Sequence, residues 1–367
     1  MLFRRIAVGL GVLVLAGTAW GYSAEELIEQ LDTKTGQKQL EAAWRLGDFN
    51  FPEVVGALAA KLDDAQTDVT VRAACATSLG KLNDVSTYPQ IETLAKKEDE
   101  KALVRASCVK AMATMKQGEV IGELAQMMKV EKSRLVLKAI EGALAEMQDK
   151  NQVAVAVTPL LTDEAAAPAA IRVLGQVGGP GVIAPLATQL TSPKASVRLA
   201  VIKALGGIRN PDVVPHLIQY YPKANDAEKG QMLSVLANHP HPDALRLLVS
   251  ELTNTQTFPA LRRRSALTLG DLVARPAIPV LVKIMLNTTE QAGLRLTCAQ
   301  ALGKFSDRDD EAIAGLIGVL ADKKIADTAA ISLSRVTKRF FGTDRKKWEE
   351  WFQEHRRTRG QQKRVGH

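Results

Sequence analysis

Apolar residues recur along this chain at the spacing of one helix face, and the same short pattern returns ten times. In Val197 to Ile208 the apolar positions are Val197, Val201, Ala204, Leu205 and Ile208, an i, i+4, i+7, i+8 stripe. Related runs are Val71 to Gly80, Val104 to Ala113 and Leu294 to Gly303. Each copy closes on a small residue: Gly47, Gly80, Ala113, Ala145, Gly175, Gly206, Ala237, Gly270, Gly303 and Ser334. Successive markers lie 30 to 33 residues apart. Spacing this even describes an array of repeated units, not two or three unrelated domains.

Between markers the pattern predicts another apolar helix. Pro52 opens Glu53 to Leu62, and the same order returns in Asn210-Pro211 to Ile218 and in Arg275-Pro276 to Val282. Proline suits a first helical turn, where its missing N–H costs no hydrogen bond. Each unit therefore reads as a helical hairpin whose second helix carries the marker, and one hairpin cannot bury its own apolar face. Ser23-Ala24-Glu25-Glu26 predicts a capped helix start and an N-terminal helical cap. Two places are irregular, the Ala- and Pro-rich Val153 to Gly181 and the run Asn238-His239-Pro240-His241-Pro242. Both read as local bends, because the repeat resumes in phase.

These residues resemble the HEAT-repeat family. The resemblance rests on Asp68-Val69-Thr70-Val71-Arg72 with Ala76 and Leu79-Gly80, and on Val197-Arg198 with Ala204-Leu205-Gly206. It covers about Lys38 to Thr337. The period is shorter than the roughly 40 to 47 residues of HEAT and armadillo units, and is similar to the short bacterial HEAT-like type named after phycobilisome lyases. The Thr-Pro-Leu-His motif of ankyrin repeats and the Trp/Gly/Tyr pattern of tetratricopeptide repeats are absent. The resemblance implies an all-α fold, a right-handed α-solenoid of about ten HEAT-like helical hairpins over 22–337.

The two ends differ from the array. Met1 to Gly21 reads as a signal peptide: Arg4 and Arg5 precede the apolar run Ile6 to Leu15, and Ala19-Trp20-Gly21 suits cleavage before Tyr22. An exported protein, periplasmic or secreted, is expected, with an uncleaved inner-membrane anchor as the alternative. Leu15-Ala16-Gly17-Thr18 resembles a lipobox, but Thr18 stands where the lipidated cysteine would be. At the other end, 338–355 is expected to form a C-terminal capping helix, with Trp348, Trp351 and Phe352 on one face. The basic segment 356–367 lacks apolar residues over most of its length and is expected to be a disordered tail.

Composition refines this picture only slightly. Hydrophobic residues make up 46% of the chain and aromatics 4%, so Ala, Leu and Val must fill the core. Cys75, Cys108 and Cys298 each stand five residues before a marker, where other copies carry Ala, Val, Ile, Met or Ser. Such a slot is a packing position. Neighbouring helices pack about 10 Å apart, beyond the Cα separation of about 7 Å that a disulfide allows. Three buried free thiols are expected.

Enzyme signatures are missing: there is no Gly-x-Ser-x-Gly, no phosphate-binding loop and no His-Glu-x-x-His. Deoxyhypusine hydroxylase is built on HEAT-like repeats with His-Glu iron ligands, but this sequence has no His-Glu dipeptide. His239 and His241, between prolines, read as a solvated loop pair. No catalytic residue, metal or cofactor is expected.

A charge bias is the one functional signal. Eight residues before the marker stand Arg72, Arg105, Arg198, Lys229, Arg262 and Arg295, and three before it stand Lys110, Arg172 and Lys203. The formal net charge is +8. One reading is a basic groove, since in HEAT-like solenoids the second helix lines the concave side. The other is a structural arginine ladder that caps turns or pairs with acids such as Asp68. On the groove reading, the partner-binding residues are Arg72, Arg105, Arg198, Lys203, Arg262, Arg263, Arg264 and Arg295. The function expected is a non-enzymatic scaffold in the cell envelope for an extended or acidic protein partner, with the basic tail able to touch a membrane surface. A lyase-like or cofactor-binding accessory protein is the alternative. Nucleic acid is disfavoured, because no aromatic residues interleave with the charges to stack bases.

Overall fold

The structure is a computed structural model and describes residues 22–365, with side chains described through Arg359. The predicted signal segment, Met1 to Gly21, lies outside the described residues. Those described form α-helices and short 3-10 turns, with no strand among them. The chain is an all-α solenoid of helical hairpins. It divides into two compact units, one up to Val173 and one from Leu174 onward. The division falls inside the Ala- and Pro-rich repeat, in the helix Ala167–Val177.

The first unit pairs Ala24–Thr33 with Gln37–Leu46, Pro52–Asp63 with Val69–Leu82, Tyr88–Lys96 with Ala102–Lys116, and Ile121–Val130 with Arg134–Glu146. Its first helix, expected as a separate cap, is the first half of a hairpin. The second unit pairs Ile183–Thr188 with Ala195–Gly207, Val213–Tyr220 with Asp226–Val235, Pro242–Thr253 with Pro259–Asp271, Ile278–Leu286 with Ala292–Leu302, and Asp310–Gly318 with Ala326–Thr337. Local sequence sets the helix starts. Ser23 and Asn225 form capping boxes with Glu26 and Glu228, Asp68 accepts from the Thr70 N–H, and Pro52 and Pro259 occupy first turns.

The small markers have a packing cause. A Cβ added to Gly80 would lie 2.7 Å from the Ala111 Cα, and one on Gly270 would lie 2.8 Å from the Ala301 Cα. Gly47 meets Ser78, Gly175 meets Ala204, Gly206 meets Val235, and Gly303 meets Ser332 in the same way. In every case the partner stands two residues before the next marker. Second helices of adjacent hairpins thus touch at a fixed register, too closely for a larger side chain. The three cysteines are buried free thiols in the core, and burial pushes each thiol up to about 12.

Two expectations need correction. His239 is buried, not solvated: its Nδ1 lies 3.0 Å from the Val235 carbonyl and its Nε2 2.8 Å from the Ile208 carbonyl. His241 Nδ1 accepts from the Asp243 N–H at the next helix start. The C-terminal helix is Arg345–Val365, so it begins later than expected and continues through the segment expected to be disordered. Trp348 is fully buried, donates to the Gly342 carbonyl at 2.8 Å and meets Phe341 edge-on. Farther along, Arg359 donates to the Asp307 carbonyl at 2.9 Å and to Asp310 at 2.8 Å. His355 stacks on Trp351. These contacts hold the basic segment against the last hairpins, which composition alone did not reveal.

One turn carries backbone strain. Asn83 ends its helix in the left-handed region at φ 56°, a conformation asparagine tolerates. The corresponding position after Gly270 is Val273 at φ 48°, a β-branched residue where that conformation is costly. Val273 is about half exposed. Val273→Asn should therefore raise the thermal midpoint, reflecting a gain of about 1 kcal/mol. An unchanged or lower midpoint by calorimetry would show that the turn is not strained.

Candidate functional site

The eight predicted partner-binding residues fall into two groups. Arg72, Arg105, Arg262 and Arg295 are buried, and all four make the same bonds. Each Nε donates to a carbonyl ten residues earlier, at the end of the first helix of its own hairpin: Leu62 at 2.8 Å, Ala95 at 3.0 Å, Leu252 at 2.9 Å and Met285 at 2.8 Å. The outer nitrogens reach an acid in the turn of the next hairpin. Arg72 holds Glu100 at 2.9 and 2.7 Å, and Arg262 holds Glu290 at 2.9 and 2.7 Å. Arg105 holds Glu131 through both terminal nitrogens, and Arg295 pairs with Asp322 at 2.7 Å. Arg198 varies the theme, donating to the Ser192 and Pro193 carbonyls and pairing with Glu228.

These residues are a structural ladder that clips consecutive turns together. The groove reading does not apply to Arg72, Arg105, Arg262 and Arg295, because each guanidinium is buried and already engaged with a carbonyl and a carboxylate. Asp68, suggested as an acid partner, caps its own helix instead. Gln39 occupies the same slot in the first hairpin and keeps the backbone half of the contact, donating to the Leu31 carbonyl at 2.8 Å.

The ladder also orders the acids electrostatically. Hydrogen bonds from Arg72 and Arg262 hold the Glu100 and Glu290 carboxyls below their usual values. The Asp322 carboxyl is lowered by the Lys324 N–H first and by Arg295 second. At Glu228 burial acts to raise the value, yet hydrogen bonds from Tyr220 and Arg198 outweigh it and the net shift is downward.

Lys203, Arg263 and Arg264 form the second group. Lys203 and Arg264 are exposed and Arg263 is half-buried, and among the described residues none makes an ion pair. They stand seven, six or three residues before their markers, outside the ladder slot. Lys110 and Lys138 occupy the same slots in the first unit, also exposed and without an ion pair among the described residues. Arg172 lies there too but is paired with Glu141 at 2.5 Å. In these three slots acids occur only at Glu41, in the first hairpin, and Asp327, in the last. Many of the other residues in these slots are small, and Ala73, Ala74, Ala106, Ala139 and Ala169 among them are buried. Sequence reasoning placed Lys110 and Arg172 in this row without selecting them and missed Lys138. The spacing of four residues between the −7 and −3 slots was the available signal.

A sequence profile of HEAT repeats matches residues 24–103, 160–237 and 245–334. The chain belongs to the HEAT-repeat family. A search of curated proteins finds none that matches it. Among solved structures, the Kap95:Nup1 complex aligns at a TM-score of 0.50 and 13% identity, over 86% of this HEAT-repeat chain and 56% of that one. An engineered protein aligns at 0.38 and 20% identity, covering 85% and 88%. The complex of CpcE and CpcF of phycocyanin lyase from Nostoc sp. PCC7120 aligns at 0.28 and 18% identity, covering 89% and 99%. These likenesses concern the fold. Among the described residues no cluster of three or more His, Cys, Asp or Glu could hold a metal ion, and no helix is long and apolar enough to cross a membrane.

Two outcomes separate the groups. Arg262→Ala strands the Glu290 carboxylate and the Leu252 carbonyl, so it should cost about 3 kcal/mol or more in urea unfolding, whereas Arg264→Glu should change stability by less than about 0.5 kcal/mol. Equal costs would mean that the ladder is not structural. The pH dependence follows from depressed carboxylates: their contribution is complete above the unfolded value of about 4.3 and is lost as pH falls through the lower folded values. Melting temperature should hold between neutral pH and about 5 and then drop, a profile readable by circular dichroism.

Proposed function

We propose that this protein is a non-enzymatic scaffold that binds extended, acidic protein segments through unpaired cations on the second helices of its hairpins. The observation that carries the reading is the charge pattern of those helices: Lys110, Lys138, Lys203, Arg263 and Arg264 stand free, while acids in the same slots are confined to the terminal hairpins. A surface already ordered by the ladder and the glycine contacts costs little further entropy on binding, so a long partner can be held by many weak contacts. Kap95, the fold neighbour, is seen in complex with Nup1, and protein binding of that general kind suits a HEAT-repeat array.

The sequence features of Met1 to Gly21 support a setting in the cell envelope. The lyase-like alternative gains little support, because the three thiols that could attach a cofactor are buried and held protonated.

The test uses fluorescence anisotropy with a labelled poly-glutamate peptide and a poly-serine control. Binding to poly-glutamate should weaken as salt rises, and Lys110→Glu with Lys138→Glu, or Arg263→Glu with Arg264→Glu, should each weaken it roughly tenfold. Affinity unchanged by both pairs of reversals, in proteins that still melt normally, would overturn the proposed site.

A further inference from the structure

A second exposed surface lies toward the C-terminal end, away in sequence from the cations Lys110 to Arg264 on the second helices. Phe340 is 79% exposed, more than any other large hydrophobic residue among those described. It is not on a loose loop. Lys338 closes the preceding helix in the left-handed conformation, Phe341 packs edge-on against the buried Trp348 at 4.8 Å, and Trp348 Nε1 binds the Gly342 carbonyl. Asp344 receives the Lys347 N–H at the start of the next helix. The turn is therefore fixed on both sides of Phe340, and the exposed ring is a built feature.

Cations flank it on both sides. Arg335, Lys338 and Arg339 precede it, Arg345, Lys346 and Lys347 follow it, and Asp344 is the lone acid between residues 335 and 347. All six cations are exposed. Arg345 pairs with Glu349 and Lys347 with Asp344, whereas Lys338, Arg339 and Lys346 make no ion pair among the described residues. Three cations in the first turn of a helix also oppose its dipole, a local arrangement that works against stability. An exposed aromatic ring amid cations held in an unfavourable place has no folding rationale.

From this geometry we infer that the Lys338–Lys347 turn is a docking point for an anionic lipid bilayer, with Phe340 entering the interface and Lys338, Arg339 and Lys346 contacting lipid phosphates. An exposed ring flanked by unpaired cations complements a surface that is anionic outside and apolar beneath, as an anionic bilayer is. Aromatic rings favour the headgroup level, and each basic residue near an anionic surface adds attraction that salt screens. The inference does not depend on the scaffold reading, because none of its residues is among the second-helix cations Lys110 to Arg264.

Vesicle co-sedimentation of the full chain tests it, with phosphatidylglycerol vesicles compared against phosphatidylcholine vesicles. All variants carry the same N-terminus, so any binding through residues 1–21 is common to them. Phosphatidylglycerol should bind the protein in preference to phosphatidylcholine. Phe340→Ala should weaken that binding roughly tenfold, and Lys338→Glu, Arg339→Glu and Lys346→Glu should each weaken it about fivefold. Melting curves should be unchanged, because none of these side chains packs in the core. Binding that is equal for the two lipids, or unaffected by Phe340→Ala, would overturn the proposal. So would failure to bind phosphatidylglycerol at all, the result expected if an acidic protein occupies the tip. Loss of vesicle binding with intact poly-glutamate binding, or the reverse, identifies which of the two surfaces has failed.

Discussion

The contact on which this array depends is a guanidinium shared between two turns. A short helical hairpin leaves carbonyls unpaired at the end of its first helix, and it cannot bury its apolar face without a neighbour. An arginine in the second helix meets both needs. Its Nε takes the orphan carbonyl of its own hairpin, and its forked end takes a carboxylate from the next turn, as in Arg72 with Leu62 and Glu100 and in Arg262 with Leu252 and Glu290. Capping and stacking become one interaction. The carboxylate satisfies a neighbouring turn as well, since Glu100 also accepts from the Lys101 N–H.

The glycine register and the arginine ladder constrain each other. Contact between Gly80 and Ala111 brings adjacent second helices close enough for the Arg72 side chain to reach Glu100. A bulkier marker would separate the helices and lengthen that bond. The slot holds Gln39, Leu137, Ala167, Lys229 or Ala326 in the other repeats, where the arginine clip is missing.

Much of the fold could be read from the sequence because stacking forces the same volume limit on the same slot in every copy. The markers and the cysteine slot are both consequences of that limit. The fate of the charges could not be read as easily. A cation eight residues before a marker looks like a surface charge until its acid is found 26 to 28 residues later, as Glu131 is for Arg105 and Glu290 for Arg262. Local inspection instead offered Asp68, four residues from Arg72, which is occupied by its own helix cap. His239 was misread for the same reason, since its partner carbonyl at Ile208 lies one whole repeat away. The C-terminal segment looked disordered because its anchoring acid, Asp310, stands 49 residues before Arg359.

Once the ladder is removed from the count of available charges, what is left is more informative than the total of +8 suggests. Cations held in ion pairs across turns contribute mainly to stability. Lys110, Lys138, Lys203, Arg263 and Arg264 on the second helices, and Lys338, Arg339 and Lys346 around Phe340, make no ion pair among the described residues, and like-charged neighbours there repel one another. Arg263 and Arg264 are adjacent in sequence, one lying over Gly293 of the next hairpin and the other exposed. A stable fold gains nothing from that repulsion, whereas an acidic partner would relieve it. The unpaired cations, and not the more regular arginine ladder, are therefore the residues on which a binding role for this HEAT-repeat chain has to rest.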